Sequence, residues 1–203
     1  KTTVVNLLTR FYDIDGGSIT LDGESIYDIP KKKLRGSIGI VLQDTVIFND
    51  TIMQNIRYGR LDATDEEVIA AAKTAKVAEF AEKMSDGYDT MLTEGGGNLS
   101  QGQRQLIAIA RAVLADPKIL ILDEATSSID TRTEVHIQEA MLALMKGRTS
   151  LIIAHRLSTI RDADKIVVID GGQVVEAGNH EKLLSENGAY ARLYNTQFAG
   201  IKT

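Results

Sequence analysis

The sequence has 203 residues, 43% of them hydrophobic and 25% charged, which suits one globular domain large enough to bury a real core, with or without a smaller lobe, and argues against a disordered chain. The net charge of -5 argues against nucleic-acid binding, because phosphate backbones attract clusters of lysine and arginine that this composition does not offer. The absence of cysteine excludes disulfides, thiolate metal sites and cysteine nucleophiles.

The chain is predicted to start with a helix, a hairpin and a strand. Lys1-Thr2-Thr3 runs directly into a helical pattern with no N-cap before it, so we expect residue 1 to be a boundary inside a longer protein. The pair Asp22-Gly23, between two short alternating runs, predicts a β-hairpin. The apolar run from Ser37 to Leu42 then predicts a buried strand.

Helices are predicted next. Thr64 and Glu67 form a capping box, and the amphipathic pattern after it predicts a helix that continues to Met84. Ser100 and Gln103 form a second capping box, which opens another helix.

The second half of the chain is predicted to contain a parallel sheet. The apolar strand Ile119 to Leu122, a helix from about Thr131 to Lys146 and the apolar strand Ser150 to Ala154 follow one another. Strand, helix, strand in this order predicts parallel pairing and therefore the α/β class. A hairpin about Gly171-Gly172 and two short helices complete the chain.

Polar residues follow three of the apolar strands. Gln43, the pair Asp123-Glu124 and His155 each stand directly after such a run. Ligands of parallel α/β sheets bind beyond these carboxyl ends, although an isolated Gln or His there is most often a turn former. Two adjacent carboxylates at the rim of a core need a cation or a proton, and a hydrated Mg²⁺ would supply that cation.

The first residues of the chain match a motif that binds the phosphates of a nucleotide together with such a cation. Lys1-Thr2-Thr3 matches the end of the phosphate-binding pattern G-x-x-x-x-G-K-[ST], with a helix after it. In that pattern Lys1 reaches the β- and γ-phosphates and the Thr2 hydroxyl binds Mg²⁺. The helix N-terminus adds affinity for an anion.

Taken together, these segments resemble the nucleotide-binding domains of ABC transporters over essentially the whole chain. The segments that carry the resemblance are Leu99-Ser100-Gln101-Gly102-Gln103 (the LSGGQ signature), Ile119 to Glu124 (the Walker B strand), Gln43 (the Q-loop), Ser127-Ser128-Ile129-Asp130 (the D-loop) and His155 (the switch histidine).

The resemblance implies a fold and a domain layout. We expect a P-loop NTPase-like parallel sheet core with an inserted α-helical subdomain at about residues 62–116 that carries the signature. Residues 1–203 would form one nucleotide-binding domain, cut within the Walker A motif and without its N-terminal β-subdomain.

The resemblance also implies the cofactors, ATP and Mg²⁺, and a division of roles within one chain. Lys1, Thr2 and Thr3 would bind the nucleotide. Thr2, Gln43 and Asp123 would bind the metal. Glu124 would be the general base, and His155 would contact the γ-phosphate.

A second cassette would complete each site, because two cassettes of this family enclose two ATP molecules head to tail. Ser100, Gly102 and Gln103 would therefore bind the ATP held by the partner cassette. Asp130 would carry information between the two sites.

The segment Gln43 to Phe48, followed by Thr51-Ile52 and Asn55-Ile56, resembles exporter cassettes of the multidrug type. This implies ATP-powered export, transmembrane domains on the same full-length chain, and a position at the cytoplasmic face of the cell membrane. A soluble ABC ATPase without a transport role, and a cassette that only binds ATP, are the alternatives.

Two residues depart from the family pattern. Gln101 replaces the usual first glycine of the signature, a form similar to one subunit of heterodimeric bacterial exporters, so a heterodimer with one fully active site is modestly favoured over a homodimer. Gly97 replaces the acidic residue that many exporters carry in the preceding loop. Tyr12 beside Phe11 is interpreted as part of a core rather than as an adenine-stacking ring.

Overall fold

The structure is a computed structural model that describes residues 2–42, 45–123, 129–154 and 160–199. The chain divides into two compact units, residues 1–153 and residues 154–203. The helices and strands of the first unit are α1 (Thr2–Leu8), β1 (Thr20–Leu21), β2 (Glu24–Ser25), α2 (Lys31–Ser37), β3 (Ile38–Val41), α3 (Ile52–Arg57), α4 (Asp65–Thr74), α5 (Ala78–Ala81), α6 (Gln101–Ala115), β4 (Ile119–Asp123), α7 (Thr131–Met145) and β5 (Thr149–Ile153).

A three-stranded parallel sheet forms the centre of the first unit. Its strand order is β3-β4-β5, with β4 in the middle. Leu120, Ile121 and Leu122 of the central strand β4 are buried. The prediction that the strand from Ser37 to Leu42 is buried is wrong, because Ile40 and Leu42 are 37% and 51% exposed at the side of the sheet, where one neighbouring strand of the described residues covers them instead of two. The predicted α/β class with a parallel sheet is confirmed.

Helix α6 is the helix around which the other helices of this unit pack. It contacts α3, α4 and α7 as well as β3. One continuous hydrophobic core joins its inner side chains, Leu106, Ile107 and Ile109 among them, to Leu120 and Leu122 of the sheet. Residues 62–116 are all described, and the only secondary-structure elements among them are helices. The assignment of a separate subdomain to this range stays a prediction.

The amino-terminal corner packs around a β-hairpin. Asp22 and Gly23 have φ of 50° and 86°, as the turn of a two-residue hairpin requires, which confirms the hairpin between β1 and β2. Arg10 ties the end of α1 to this corner by donating to the carbonyl oxygens of Ile26 (2.9 Å) and Ile29 (3.1 Å).

The prediction that the helix after Thr64 continues to Met84 is wrong, because the helix ends at Thr74. Lys76 has a φ of 61°, and the Val77 N–H bonds to the Ala72 carbonyl at 2.8 Å, which is the Schellman end of a helix. Val77, the residue after the left-handed Lys76, is fully buried. The chain then resumes as α5.

The second unit contains a hairpin and two helices. Strands β6 (Ile166–Asp170) and β7 (Gln173–Gly178) pair antiparallel, and helices α8 (His180–Ser185) and α9 (Ala189–Ala199) follow. Glu176 on β7 accepts hydrogen bonds from the N–H groups of Ala189 and Tyr190, so a carboxylate on the hairpin caps the start of α9. Buried Leu183 and Tyr190 complete a small core.

Candidate functional site

One of the site residues predicted at the strand ends is described by the structure. Asp123 is the last residue of β4 and is half-buried. Lys1, Gln43, Glu124 and His155 lie outside the described residues. For these four, the roles named above stay predictions.

The three strands that lead to these positions are aligned with one another. Val41 of β3 stands opposite Leu122 of β4, and Leu122 stands opposite Ile152 of β5. Asp123 pairs with Ile153 one step further. Because all three strands run parallel and end at the same level, the carboxyl ends share one edge of the sheet, where ligands of such sheets bind.

The donor atoms at the two predicted metal-binding positions that are described fit Mg²⁺. Asp123 offers a carboxylate, and Thr2, exposed in the first turn of α1, offers a hydroxyl. Mg²⁺ prefers such hard oxygen ligands and is usually held by one or two carboxylates together with phosphate oxygens and water. Among the described residues there is no group of three or more acidic, histidine or cysteine side chains that could hold a metal by itself.

The predicted nucleotide-binding residues at the start of α1 are accessible. Thr2 and Thr3 are both exposed, while Val5 one turn later is buried and anchors the helix. The helix therefore directs its first turn to solvent and its later residues to the protein.

Ser100 and Gln103 form the predicted capping box at the start of α6. The Ser100 hydroxyl accepts from the Gln103 N–H at 3.2 Å, and the Gln103 side-chain oxygen accepts from the Ser100 N–H at 2.9 Å. Both residues of the box thus satisfy N–H groups that a helix start leaves without a partner. The serine is exposed at the first turn of a 15-residue helix.

Gly102 has no room for a side chain. A Cβ atom built on it would overlap the Thr133 Cγ2 methyl and lie 3.1 Å from Ile129 Cγ2. The start of α6 therefore packs directly against the start of α7. Sequence inspection assigned Gly102 to nucleotide binding but missed Thr133, because no pattern in the sequence marks this contact.

Asp130 is the N-cap of α7. Its carboxylate accepts from the Thr133 N–H at 3.0 Å. This backbone hydrogen bond is the largest of several that hold the pKa of Asp130 below its ordinary value. Asp130 and Gly102 thus both contact Thr133, so the structure brings these two predicted site residues to the same place.

The loop before the signature is fixed by two side chains. Asn98 donates to the Met91 carbonyl at 3.0 Å, and its side-chain oxygen accepts from the Thr93 N–H at 3.3 Å. Arg104 donates to the carbonyl oxygens of Leu99 (2.8 Å) and Gly96 (3.3 Å) from the first turns of α6. These contacts set the direction in which the chain enters the helix.

The aromatic pair near the end of α1 does not belong to a core. Phe11 and Tyr12 are 61% and 64% exposed, so the interpretation of the pair as core residues is wrong. The Arg35 guanidinium lies over the Phe11 ring at 4.5 Å, which explains how an exposed ring is held.

The comparisons with known proteins agree with this arrangement. The family model described as ABC transporter matches residues 1–127. The chain is 59% identical over 98% of its length to YfiC, an ABC transporter ATP-binding protein of Bacillus subtilis, and 55% identical over 98% of its length to the ATP-dependent lipid A-core flippase of Hahella chejuensis.

A solved structure agrees as well. The structure of a bacterial Atm1-family ABC exporter with ATP bound superposes with a TM-score of 0.89 at 48% identity, covering 97% of this chain and 34% of the exporter chain. The chain covers 33% and 34% of the two relatives named above, so it spans about a third of their length. Among the residues that the structure describes, no helix has the length and apolar character to cross a bilayer.

Proposed function

The chain belongs to the ABC transporter family, and from that membership we propose that it is the ATP-hydrolysing domain of an exporter, which powers movement of a substrate across a membrane. The observation that carries the proposal is the shared edge of the sheet: three parallel strands end level with one another, and Asp123 ends the central one. Similarity to an ATP-dependent flippase and to an exporter with ATP bound supports the transport role.

Each residue at this edge has a proposed task. Lys1 and Thr3 bind the phosphates, and Thr2 and Asp123 provide oxygen ligands for Mg²⁺, which neutralises phosphate charge when bound. Glu124 accepts the proton of the attacking water. This division follows the donor chemistry, because a hydroxyl and a carboxylate suit the cation and a lysine suits the phosphate.

The same edge has two further proposed participants. Gln43 orients the attacking water and the cation, and His155 donates to the γ-phosphate. Both residues follow strands that are neighbours of β4 in the sheet, β3 and β5. A buried central strand with one neighbour on each side supports this distribution around the reacting phosphate.

The start of α6 serves the ATP of a second cassette. Ser100 is exposed there at the first turn of a 15-residue helix, so its hydroxyl and the N–H groups of that turn can approach a phosphate closely, while Gly102 lets the turn pack against Thr133. Gln103 stabilises that turn through the capping box. Asp130 couples this turn to the rest of the site through the Thr133 contact. Two chains, or this chain and a related one, would therefore form each active site.

An exposed apolar patch supports docking to transmembrane domains. Val46, Phe48 and Tyr58 are 66%, 40% and 48% exposed and surround the Arg111 side chain. Apolar surface of this kind marks contact with another protein. In the full-length protein the patch would face the transmembrane segments from the cytoplasmic side, in accordance with the relatives being about three times as long as this chain.

Gln101 favours pairing with a related subunit rather than with a second copy. It occupies the first position of α6, where the signature of the family usually has a glycine. Purification of the full-length subunit by itself decides between the two: a symmetric dimer that is active without any other subunit would contradict the heterodimer.

The proposed function is tested by ATP hydrolysis of the full-length protein in lipid. We expect Glu124→Gln to keep ATP binding and to lower kcat by about 10²- to 10⁴-fold, the range for removal of a general base. Glu181→Gln, which removes an exposed carboxylate from the first turn of α8, serves as the matched control and should hydrolyse ATP at the wild-type rate. Hydrolysis at the wild-type rate by Glu124→Gln would contradict the proposal.

A further inference from the structure

Asn55 is a fully buried polar residue that lies outside the site described above. It belongs to α3 and is 0% exposed. Its side-chain N–H₂ donates to the carbonyl oxygens of Phe48 (3.0 Å), Asp50 (3.3 Å) and Thr51 (3.0 Å), and its side-chain oxygen accepts from the Phe48 N–H at 3.0 Å. One amide therefore fixes the backbone of residues 48–51, the later part of residues 45–51. Residues 45–51 are called here the 45–51 segment, which begins two residues after Gln43.

Arg111 joins this amide to the signature-bearing helix. From the later turns of α6, its Nε donates to the Asn55 carbonyl at 2.6 Å and its Nη2 donates to Asn55 Oδ1 at 2.8 Å. Its Nη1 donates to the Val46 carbonyl at 2.6 Å. The guanidinium thus bridges α6, α3 and the 45–51 segment through three hydrogen bonds in different directions.

The surroundings hold the guanidinium in this orientation. The rings of Phe48 and Tyr58 stack at 4.2 Å, and the guanidinium lies 5.4 Å from the first ring centroid and 6.0 Å from the second. Burial lowers the pKa of Arg111 from its ordinary value, while arginine keeps its charge in proteins. At Gly59 a Cβ atom would overlap the Arg111 carbonyl oxygen, so the chain after α3 touches the backbone of α6.

A second set of contacts links the same segment to the loop before the signature. The Gly95 N–H donates to the Ile47 carbonyl at 3.3 Å, and the Leu92 N–H donates to the Asp50 carbonyl at 2.9 Å. The 45–51 segment is therefore attached both to the later turns of α6 and to the loop that leads into its first turn.

We propose that Arg111 is a positioning residue that, together with Asn55, makes the 45–51 segment and helix α6 move as one body. The inference rests on the proposed function, because the two ends of this body adjoin Gln43 and Ser100. Arg111 lies about 16 Å from Ser100 along a helix that rises 1.5 Å per residue. A shift at one end of a rigid helix is carried to its other end, so the arginine sets the relative position of the two segments during turnover.

Lysine cannot take over this task. Its ammonium is a single point charge, whereas the bridge requires donors that point to Val46 and to Asn55 at once. Arg111→Lys therefore keeps the charge and removes the bridge, which makes it the most informative substitution.

Arg148 offers a matched control at the other end of the sheet. Its Nε donates to the Pro117 carbonyl at 3.0 Å, its Nη2 pairs with Asp116 at 2.5 Å, and it also bonds to the Leu144 carbonyl. It therefore bridges backbone groups in the same manner as Arg111, but next to the amino-terminal ends of β4 and β5. Arg148→Lys tests what loss of such a bridge costs the fold alone.

The experiment compares both variants in the full-length protein in lipid, with wild type and Glu124→Gln alongside to test the proposed function separately. We expect Arg111→Lys to lower kcat by about tenfold, because a displacement of about 1 Å can cost more than that, with the KM for ATP within about twofold. Arg148→Lys should keep both constants near wild type at a similar loss of thermal stability. An equal loss of kcat in the two variants would overturn the inference.

Hydrogen exchange supplies a readout that does not depend on turnover. In Arg111→Lys, exchange should rise together in residues 45–51 and 94–104, while Arg148→Lys leaves both ranges protected. A rise confined to residues 45–51 would overturn the inference. If Arg111→Lys does not fold, Arg111→Gln is used instead, because glutamine leaves no buried charge without a partner. Failure of both variants to fold would overturn the inference, because the arginine would then have only a structural role.

Discussion

The contact between Gly102 and Thr133 makes a testable prediction about the start of the signature helix. Gly102→Ala adds one methyl group that would overlap the Thr133 Cγ2 methyl and lie 3.3 Å from Thr133 Cβ and 3.1 Å from Ile129 Cγ2. Helix α7 begins two residues before Thr133, so backbone as well as side chain must shift to accept it. We therefore expect the substitution to destabilise the protein.

Two opposing effects set the magnitude. Overpacking of a tight contact costs about 1 to 3 kcal/mol. Alanine instead of glycine in a helix gains at most about 1 kcal/mol, and less in the first turn. The net destabilisation is therefore about 1 to 2 kcal/mol, which lowers the midpoint of thermal unfolding by about 2 to 8 °C for a domain of this size.

A double-mutant cycle isolates the contact. Thr133→Ser removes only the Cγ2 methyl and keeps the hydroxyl beside Asp130, so by itself it should cost about 0.5 to 1 kcal/mol. In that background Gly102→Ala should be neutral or stabilising, which gives a coupling energy of at least about 1 kcal/mol between the two sites. Thermal unfolding of the full-length variants measures all four corners. The reasoning is refuted if Gly102→Ala costs the same with and without the Thr133 methyl.

Two further predictions concern caps. A hydrogen bond from the Thr133 N–H lowers the pKa of Asp130 in the folded state, so the stabilisation by this carboxylate is fully present above the ordinary Asp pKa of about 4 and is lost as pH falls through the lowered pKa. Asp130→Asn should therefore lower the thermal stability at pH 7 and make the protein lose less stability on acidification. An unchanged pH dependence of thermal stability would contradict this. Glu176→Ala should cost about 1 kcal/mol or more and speed hydrogen exchange at the start of α9, because Ala189 and Tyr190 lose their acceptor; Glu181→Ala is the control, and equal exchange in the two variants would contradict the cap.

Local patterns predicted the elements that carry the site. The capping boxes at Thr64 and Ser100 are confirmed, because side chain and backbone are three residues apart and need no distant partner. The three apolar strands are confirmed in one parallel sheet, since strands joined by crossover helices have few other arrangements.

Contacts between distant parts of the chain could not be predicted in this way. The break at Lys76 is one example, because the left-handed residue is a lysine rather than the usual glycine, and its side chain pairs with Glu139 of α7 at 2.9 Å. The Asn55 and Arg111 network is another. Each residue fits the ordinary pattern of its own helix, and the contact between them depends on how α3 and α6 pack, which joins two residues 56 positions apart.

We propose that Glu124 is the general base of a site that two cassettes complete around ATP. The most direct measurement is the nucleotide retained by full-length Glu124→Gln after incubation with Mg²⁺ and ATP and rapid gel filtration. We expect dimers that retain unhydrolysed ATP in stoichiometric amount, whereas wild type retains ADP or nothing. Recovery of ADP from Glu124→Gln at the wild-type rate, or monomers without nucleotide, would contradict it.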